Sequence, residues 1–210
     1  MVRSIRSLRT AALALVAALA LAPSLAAAAP GDAPARAQAA FEASHGKVRA
    51  LAGERGKAEA LQAEVDALLD YGDLARESLG GAARYAERCE PRCDEFEAVL
   101  TRLIRENYLK RLRSERSHSV EVVGAEARPR GAYVKTRVRY TEVGGKEAVM
   151  EVDYVMHEVD GRWQVRDIVT DGVSLARNYK YEFNQVIRRE GIDGLIARLE
   201  SKVALVARKE

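Results

Sequence analysis

Near Ser114 the spacing of apolar residues changes from about four to two. A chain with that change at mid-length has to build helices first and a sheet afterwards, because a helix brings every third or fourth residue to one face and a strand every second. Beyond "RSERSH" lie alternating runs, "SVEVVGAEA", "GAYVKTRVRYTEV", "KEAVMEVDYVMHEV" and "RWQVRDIVT". Gly144-Gly145 and Asp160-Gly161 mark hairpin turns between them, since such pairs accept the positive φ that short turns demand. In the second run Val134, Thr136, Val138 and Tyr140 point one way and Lys135, Arg137 and Arg139 the other. In the third, Met150, Val152, Tyr154 and Met156 oppose Glu151, Asp153 and His157. The runs predict a four-stranded antiparallel sheet, wet on one face and covered on the other.

The cover has to be helical. Pro34 to about Ala52 is Ala-rich, with Phe41, Val48 and Leu51 as anchors, and "GERG" ends it. "KAEALQAEVDALLDYGDLARESLG" keeps a helical period through Leu61, Val65, Leu68, Leu69, Leu74 and Leu79 and reads as one helix stopping at Gly80-Gly81. Asp94 to Arg113 is the third, burying Phe96, Val99, Leu100, Leu103, Ile104, Tyr108 and Leu112. After the last strand an Asp171-Gly172 turn and a Ser174 N-cap open a further helix, whose Leu175, Tyr179, Phe183, Val186 and Ile187 recur at three- and four-residue steps. Gly191 breaks it, and Ile192, Leu195, Ile196, Leu199, Val203 and Leu205 follow. The architecture is α+β: N- and C-terminal helices packed on the sheet.

The first thirty residues stand apart. Arg3, Arg6 and Arg9 precede the apolar run "AALALVAALALAPSLAAAAP", which ends in small residues around Ala27 and Ala29. This is the pattern of a Sec-type signal peptide over 1–29, with one domain over 30–210 and export to the periplasm. A membrane anchor fits less well, because Pro23 interrupts the run and it falls short of the ~20 apolar residues of a span. The whole chain is formally +3, but those three arginines leave with the leader, and 31 bases then face 31 acids. Neutrality removes the electrostatic argument for nucleic acid.

Cys89 and Cys93 are the only cysteines. In an oxidising compartment a disulfide is the leading reading, with Pro91 at the first helical position and Asp94, Glu95 and Glu97 in the first turn. A redox or metal role is the alternative, on a spacing that matches neither pattern well.

Catalytic patterns are few. His45, His118 and His157 are isolated from cysteine and from one another; Asp153 and His157 share the wet face, where a solvated pair is expected. No G-x-S-x-G, H-E-x-x-H, P-loop or G-x-G-x-x-G occurs. Asp70 and Asp73 lie where capping explains them. Tyr133, Lys135, Arg137 and Arg139 form a basic strand face that is either simply solvated or meets an acidic partner or anionic head group. Tyr140, Met150, Val152, Tyr154, Met156, Trp163, Tyr179, Tyr181 and Phe183 crowd the second half. Periodicity does not separate a filled core from a cavity lined by the same side chains.

"WQVRDIVTDGVSLARNYKYEFNQVIRREGIDGLIARLESK", Trp163 to Lys202, resembles the C-terminal signature of the MlaC family of toluene-tolerance proteins, periplasmic phospholipid-binding proteins. The matching elements are W-x-V-x-D-I/V, D/E-G-V-S-L, N-Y-x-x-x-F and G-I/L-D-G-L-I-x-x-L. Upstream, "DYGDLARESLG" and the helix "FEAVLTRLIRENYLKRL" follow the family order, so the resemblance spans about Leu61 to Lys202. The chain departs from it at Cys89 and Cys93, where the family has a short turn, and in its Ala- and Gly-rich first helix. The resemblance implies a nuclear-transport-factor-like sheet with lipid tails between sheet and helices, no catalysis and no cofactor beyond a diacyl phospholipid cargo. It further implies a monomer exchanging lipid with an inner-membrane MCE-domain ABC transporter and an outer-membrane lipoprotein/porin complex, in the maintenance of outer-membrane asymmetry. On that reading the acyl site is expected at Val138, Tyr140, Val152, Tyr154, Val165, Ile168, Val173, Leu175, Tyr179, Phe183, Ile187 and Leu195. A small-molecule enzyme of the same fold or a lipid-free envelope adaptor are the alternatives; the former needs an acid or base where Val, Tyr and Met stand.

Overall fold

A computed structural model describes residues 32–113, 118–142 and 144–208; the predicted signal peptide, 1–29, lies outside them. The helices are α1 (Ala33–Ala52), α2 (Ala58–Leu68), α3 (Tyr71–Ser78), α4 (Ala82–Cys89), α5 (Cys93–Arg113) and α6 (Leu175–Ala207). The strands are β1 (His118–Arg128), β2 (Gly131–Thr141), β3 (Glu147–Val159), β4 (Arg162–Thr170) and the two-residue β5 (Val173–Ser174). All neighbours pair antiparallel in the order β1-β2-β3-β4-β5. The sheet thus has one short strand more than predicted, made where the chain doubles back through Asp171 and Gly172.

The alternation works as read. Val134 pairs Tyr154, Thr136 pairs Val152 and Val138 pairs Met150, all on the core face. Thr136, the polar member, donates its hydroxyl to the Val152 carbonyl at 2.6 Å, so its burial leaves no unmet donor. Helix α1 crosses β1 and β2, and α5 packs on α6. The opposite face carries cross-strand pairs such as Lys135 to Glu126 at 2.6 Å.

Four expectations need correction. Asp70 and Leu69 divide the predicted second helix: Asp70 N–H donates to the Val165 carbonyl at 2.9 Å, and Leu69 bridges Val165 in parallel. A strand edge offering a free carbonyl there outweighs one helical hydrogen bond. Helix α4 follows Gly80-Gly81 as an extra element. The disulfide Cys89–Cys93 is present, but it joins the last residue of α4 to the first of α5, and Pro91 sits in the intervening turn after a cis peptide bond, not at a helical N1. His157 does not form a solvated pair with Asp153: it lies 2.9 Å from Asp70 Oδ2, both side chains only 16% exposed.

The break at Gly191 occurs as expected, with φ 67° and ψ −171° inside α6. Ser174 caps that helix, its Oγ accepting from Arg177 N–H at 3.0 Å. Asp167 holds the cap in turn: it accepts from Ser174 Oγ at 2.5 Å and from the N–H groups of Ala176 and Ile168, each at 2.9 Å. Asp171 fixes the turn by pairing with the backbone of Glu151.

Candidate functional site: two lobes between sheet and helices

Between the core face of the sheet and the last turns of α5 the packing opens into two adjoining lobes. The first, about 460 Å³, is walled by Val120, Val138, Tyr140, Met150, Val152 and Tyr154 of the sheet, Tyr108 and Leu112 of α5, His45 of α1, and His118. The second, about 380 Å³, lies against Ile104 and Asn107 of α5, Val173 and Ser174 of β5, and Leu175, Asn178 and Tyr179 of α6. Tyr108, Arg111, Ile168 and Thr170 belong to both. Each volume falls in the range of ligand pockets, roughly 300–1,000 Å³.

Strand alternation explains the sheet wall: Val138, Tyr140, Val152 and Tyr154 are alternate residues of adjacent strands, so one register choice sends all of them inward. Phe41 of α1 packs on Tyr154 with ring centroids 4.4 Å apart. On the helical wall, Tyr179 stacks on Phe183 at 5.0 Å.

Inside, the polar groups are neutralised or paired. Tyr108 and Tyr154 hydrogen-bond each other; burial pushes Tyr108 up to about 12, and burial, then the neighbouring Tyr108, raises Tyr154 as well. Burial likewise raises Tyr179. His45 is held below its ordinary value by burial, then by the charges of Arg49 and His118, so the ring is uncharged at neutral pH. Arg111 is exposed and stands where the lobes meet. The result is a pair of largely apolar recesses that share Tyr108, Arg111, Ile168 and Thr170. Among the described residues, no group of three His, Cys, Asp or Glu could hold a metal ion.

A family model described as MlaC protein matches residues 38–201. The chain belongs to the MlaC family. Every residue lining the two lobes falls inside that MlaC match. The fold is also that of a solved structure, the phospholipid-binding protein from Ralstonia solanacearum in complex with a phospholipid, with a TM-score of 0.63 at 23% identity, covering 81% of this chain and 98% of that one. At that identity the likeness is one of fold.

The twelve residues expected at the acyl site divide between the two lobes and places outside them. Val138, Tyr140, Val152, Tyr154 and Ile168 line the first lobe, and Ile168, Val173, Leu175 and Tyr179 the second. The rest lie elsewhere. Val165 is fully buried beside Leu69, Ile187 is half-buried against the core, and Phe183 and Leu195 border a separate groove at the α6 kink. Phe183 packs edge-on against Phe96 of α5 at 5.9 Å, within the helical layer. Among the lining residues the sequence reading missed, His45, Asn107, Arg111 and Thr170 stand out. The apolar period of α5 showed which face is buried but not that its last turns face an opening.

A second unforeseen feature is the polar network at the β4 edge. Arg166, 11% exposed, meets Asp73 Oδ2 at 2.9 Å and Glu77 at 3.4 Å. The Asp73 oxygen has no hydrogen bond of good geometry, so that contact is ionic rather than directional. With Asp70 and His157 it locks α3 to the sheet beneath the helical layer.

Proposed function

We propose that the chain is a phospholipid carrier of the bacterial envelope. It would be exported by the leader over 1–29 and work in the periplasm as the single domain 30–210, moving diacyl lipid between the outer-membrane lipoprotein/porin complex and an inner-membrane MCE-domain ABC transporter. The observation that carries this reading is the pair of apolar lobes sharing Tyr108, Arg111, Ile168 and Thr170. Two chains diverging from one glycerol need that shape, with the polar head at the junction. Membership of the MlaC family and the lipid-bound neighbour of the same fold support it.

The energetics fit a carrier. Each buried methylene is worth about 0.8 kcal/mol, so acyl chains do not cross water unprotected. A site that matches the bilayer in apolarity can both load and release. With Tyr108 and Tyr154 satisfying each other, the lobe walls offer chains little polar resistance. No step of bond making or breaking enters this function.

The test is native mass spectrometry of the protein produced with its leader, followed by organic extraction. One diacyl phospholipid per protein, released on extraction, is the expected result. Protein that carries no lipid and takes up none from labelled vesicles would overturn the carrier reading.

A further inference from the structure

On the other side of the first turns of α6 lies a pocket of about 420 Å³ with a different character. Five cations border it, Arg128 and Arg130 at the β1–β2 turn, Arg166 of β4, and Arg177 and Lys180 of α6, against two acids, Glu77 and Asp167. Both acids are occupied. Glu77 meets Arg166, and Asp167 spends its oxygens on Ser174, Ala176 and Ile168. Arg130, Arg177 and Lys180 are exposed, and no ion pair among the described residues engages them. A chain with no excess of charge outside its leader thus concentrates unbalanced positive charge in one concave place.

The pocket is built rather than incidental. Gly131 at φ 145° presses the β1–β2 turn onto β3 so closely that a Cβ there would lie 1.9 Å from the Met156 carbonyl oxygen. That contact fixes Arg128 and Arg130 over the strand ends. Arg128 is held further by its guanidinium lying 4.3 Å from the Tyr133 ring and by its ion pair with Glu126 at 3.7 Å, so the unbalanced charge is that of Arg130, Arg177 and Lys180. Apolar floor is supplied by Tyr133 and Val155. The same helix turns that present Leu175 and Tyr179 to the second lobe present Arg177 and Lys180 here, and Ser174 touches both.

We propose that this pocket docks an acidic segment of a protein partner. Charge complementarity selects the sign, and concavity selects the class: an extended acidic peptide enters a recess bordered by cations from separate elements, whereas a bilayer surface meets flat or convex basic faces. This docking stands independently of the lipid cargo, since none of its cations lines a lobe.

The experiment is fluorescence anisotropy of a fluorescein-labelled hexaglutamate peptide with the full chain lacking its leader. Binding that weakens as salt is raised is expected, and Arg177→Glu with Lys180→Glu should lower affinity at least about tenfold. Arg102→Glu with Lys146→Glu, exposed positions outside the pocket carrying the same change of net charge, should leave it within about twofold. Should the first pair fail to fold, Arg130→Gln with Lys180→Gln gives the same comparison at smaller amplitude. Equal loss in both pairs, or no loss in the pocket pair, would overturn the site. Co-sedimentation with phosphatidylglycerol vesicles in the absence of peptide binding would overturn the assignment to a peptide.

Discussion

Asp167 shows how much one residue organises here. Its carboxylate takes the Ser174 hydroxyl and two backbone N–H groups, so it ties the start of α6 to β4. Hydrogen bonds to a charged group are worth about 1.5–3 kcal/mol, and losing the carboxylate also orphans the donors. Asp167→Ala should cost roughly 3 kcal/mol in urea unfolding, and Ser174→Ala about 1 kcal/mol as a lost cap. His45 supplies a pH dependence. Its folded pKa lies below 6.5, through burial first and then Arg49 and His118, so below 6.5 the unfolded chain takes up more protons than the folded one. Stability attributable to His45 is therefore full above about pH 7. It falls as the pH drops through 6.5 towards the lowered folded value, and levels off beneath it. Chemical denaturation at a series of pH values should show this decline in the parent and a shallower one in His45→Gln; parallel curves would contradict it.

Among the elements, the disulfide is a staple of limited strength. It closes a loop four residues apart between α4 and α5, for which chain entropy gives about 2 kcal/mol at most. Cys89→Ala with Cys93→Ala should stay folded at room temperature and lose no more than about 2 kcal/mol, measured by guanidinium unfolding at matched slope. What was legible in the sequence at this scale follows from who sets the structure. The strands, the Ser174 cap and the Gly191 break are local decisions, written in alternation and turn chemistry. The division of α2 from α3 is only partly local: Leu61, Val65, Leu68 and Leu69 share one helical face, Leu74 leaves it after a five-residue step, and the Val165 carbonyl on β4 fixes where the break falls. Helix α4, "AARYAERC", escaped because only Cys89 in it is buried. The sheet wall of the lobes was readable for the same reason as the strands. The helical wall was not, because Tyr108 and Arg111 occupy a continuous amphipathic period that carries no mark of where packing stops.

At the scale of the molecule, a lipid held in the lobes would couple cargo to stability. A ligand that binds only the folded chain stabilises it by RT ln(1 + [L]/Kd), about 4 kcal/mol when effectively a thousandfold over Kd. For a chain of this size each kcal/mol moves Tm by about 2–4 °C. Lipid-loaded protein should therefore melt on the order of 10 °C above protein stripped by detergent and refolded. Val152→Asp separates this effect from general loss of structure. Val152 is 8% exposed on the wall of the first lobe, where a carboxylate faces open space rather than packed side chains, so the chain should fold while ceasing to hold lipid. Phe183→Asp is the contrasting variant: its side chain is 2% exposed and packed on Phe96, and a buried unpaired charge there should lower Tm whether or not lipid is supplied. The carrier reading requires that the Val152→Asp protein, as isolated and after stripping, give one and the same Tm, close to that of stripped parent. A gap of several degrees between its two preparations would place the stabilising ligand somewhere other than these lobes.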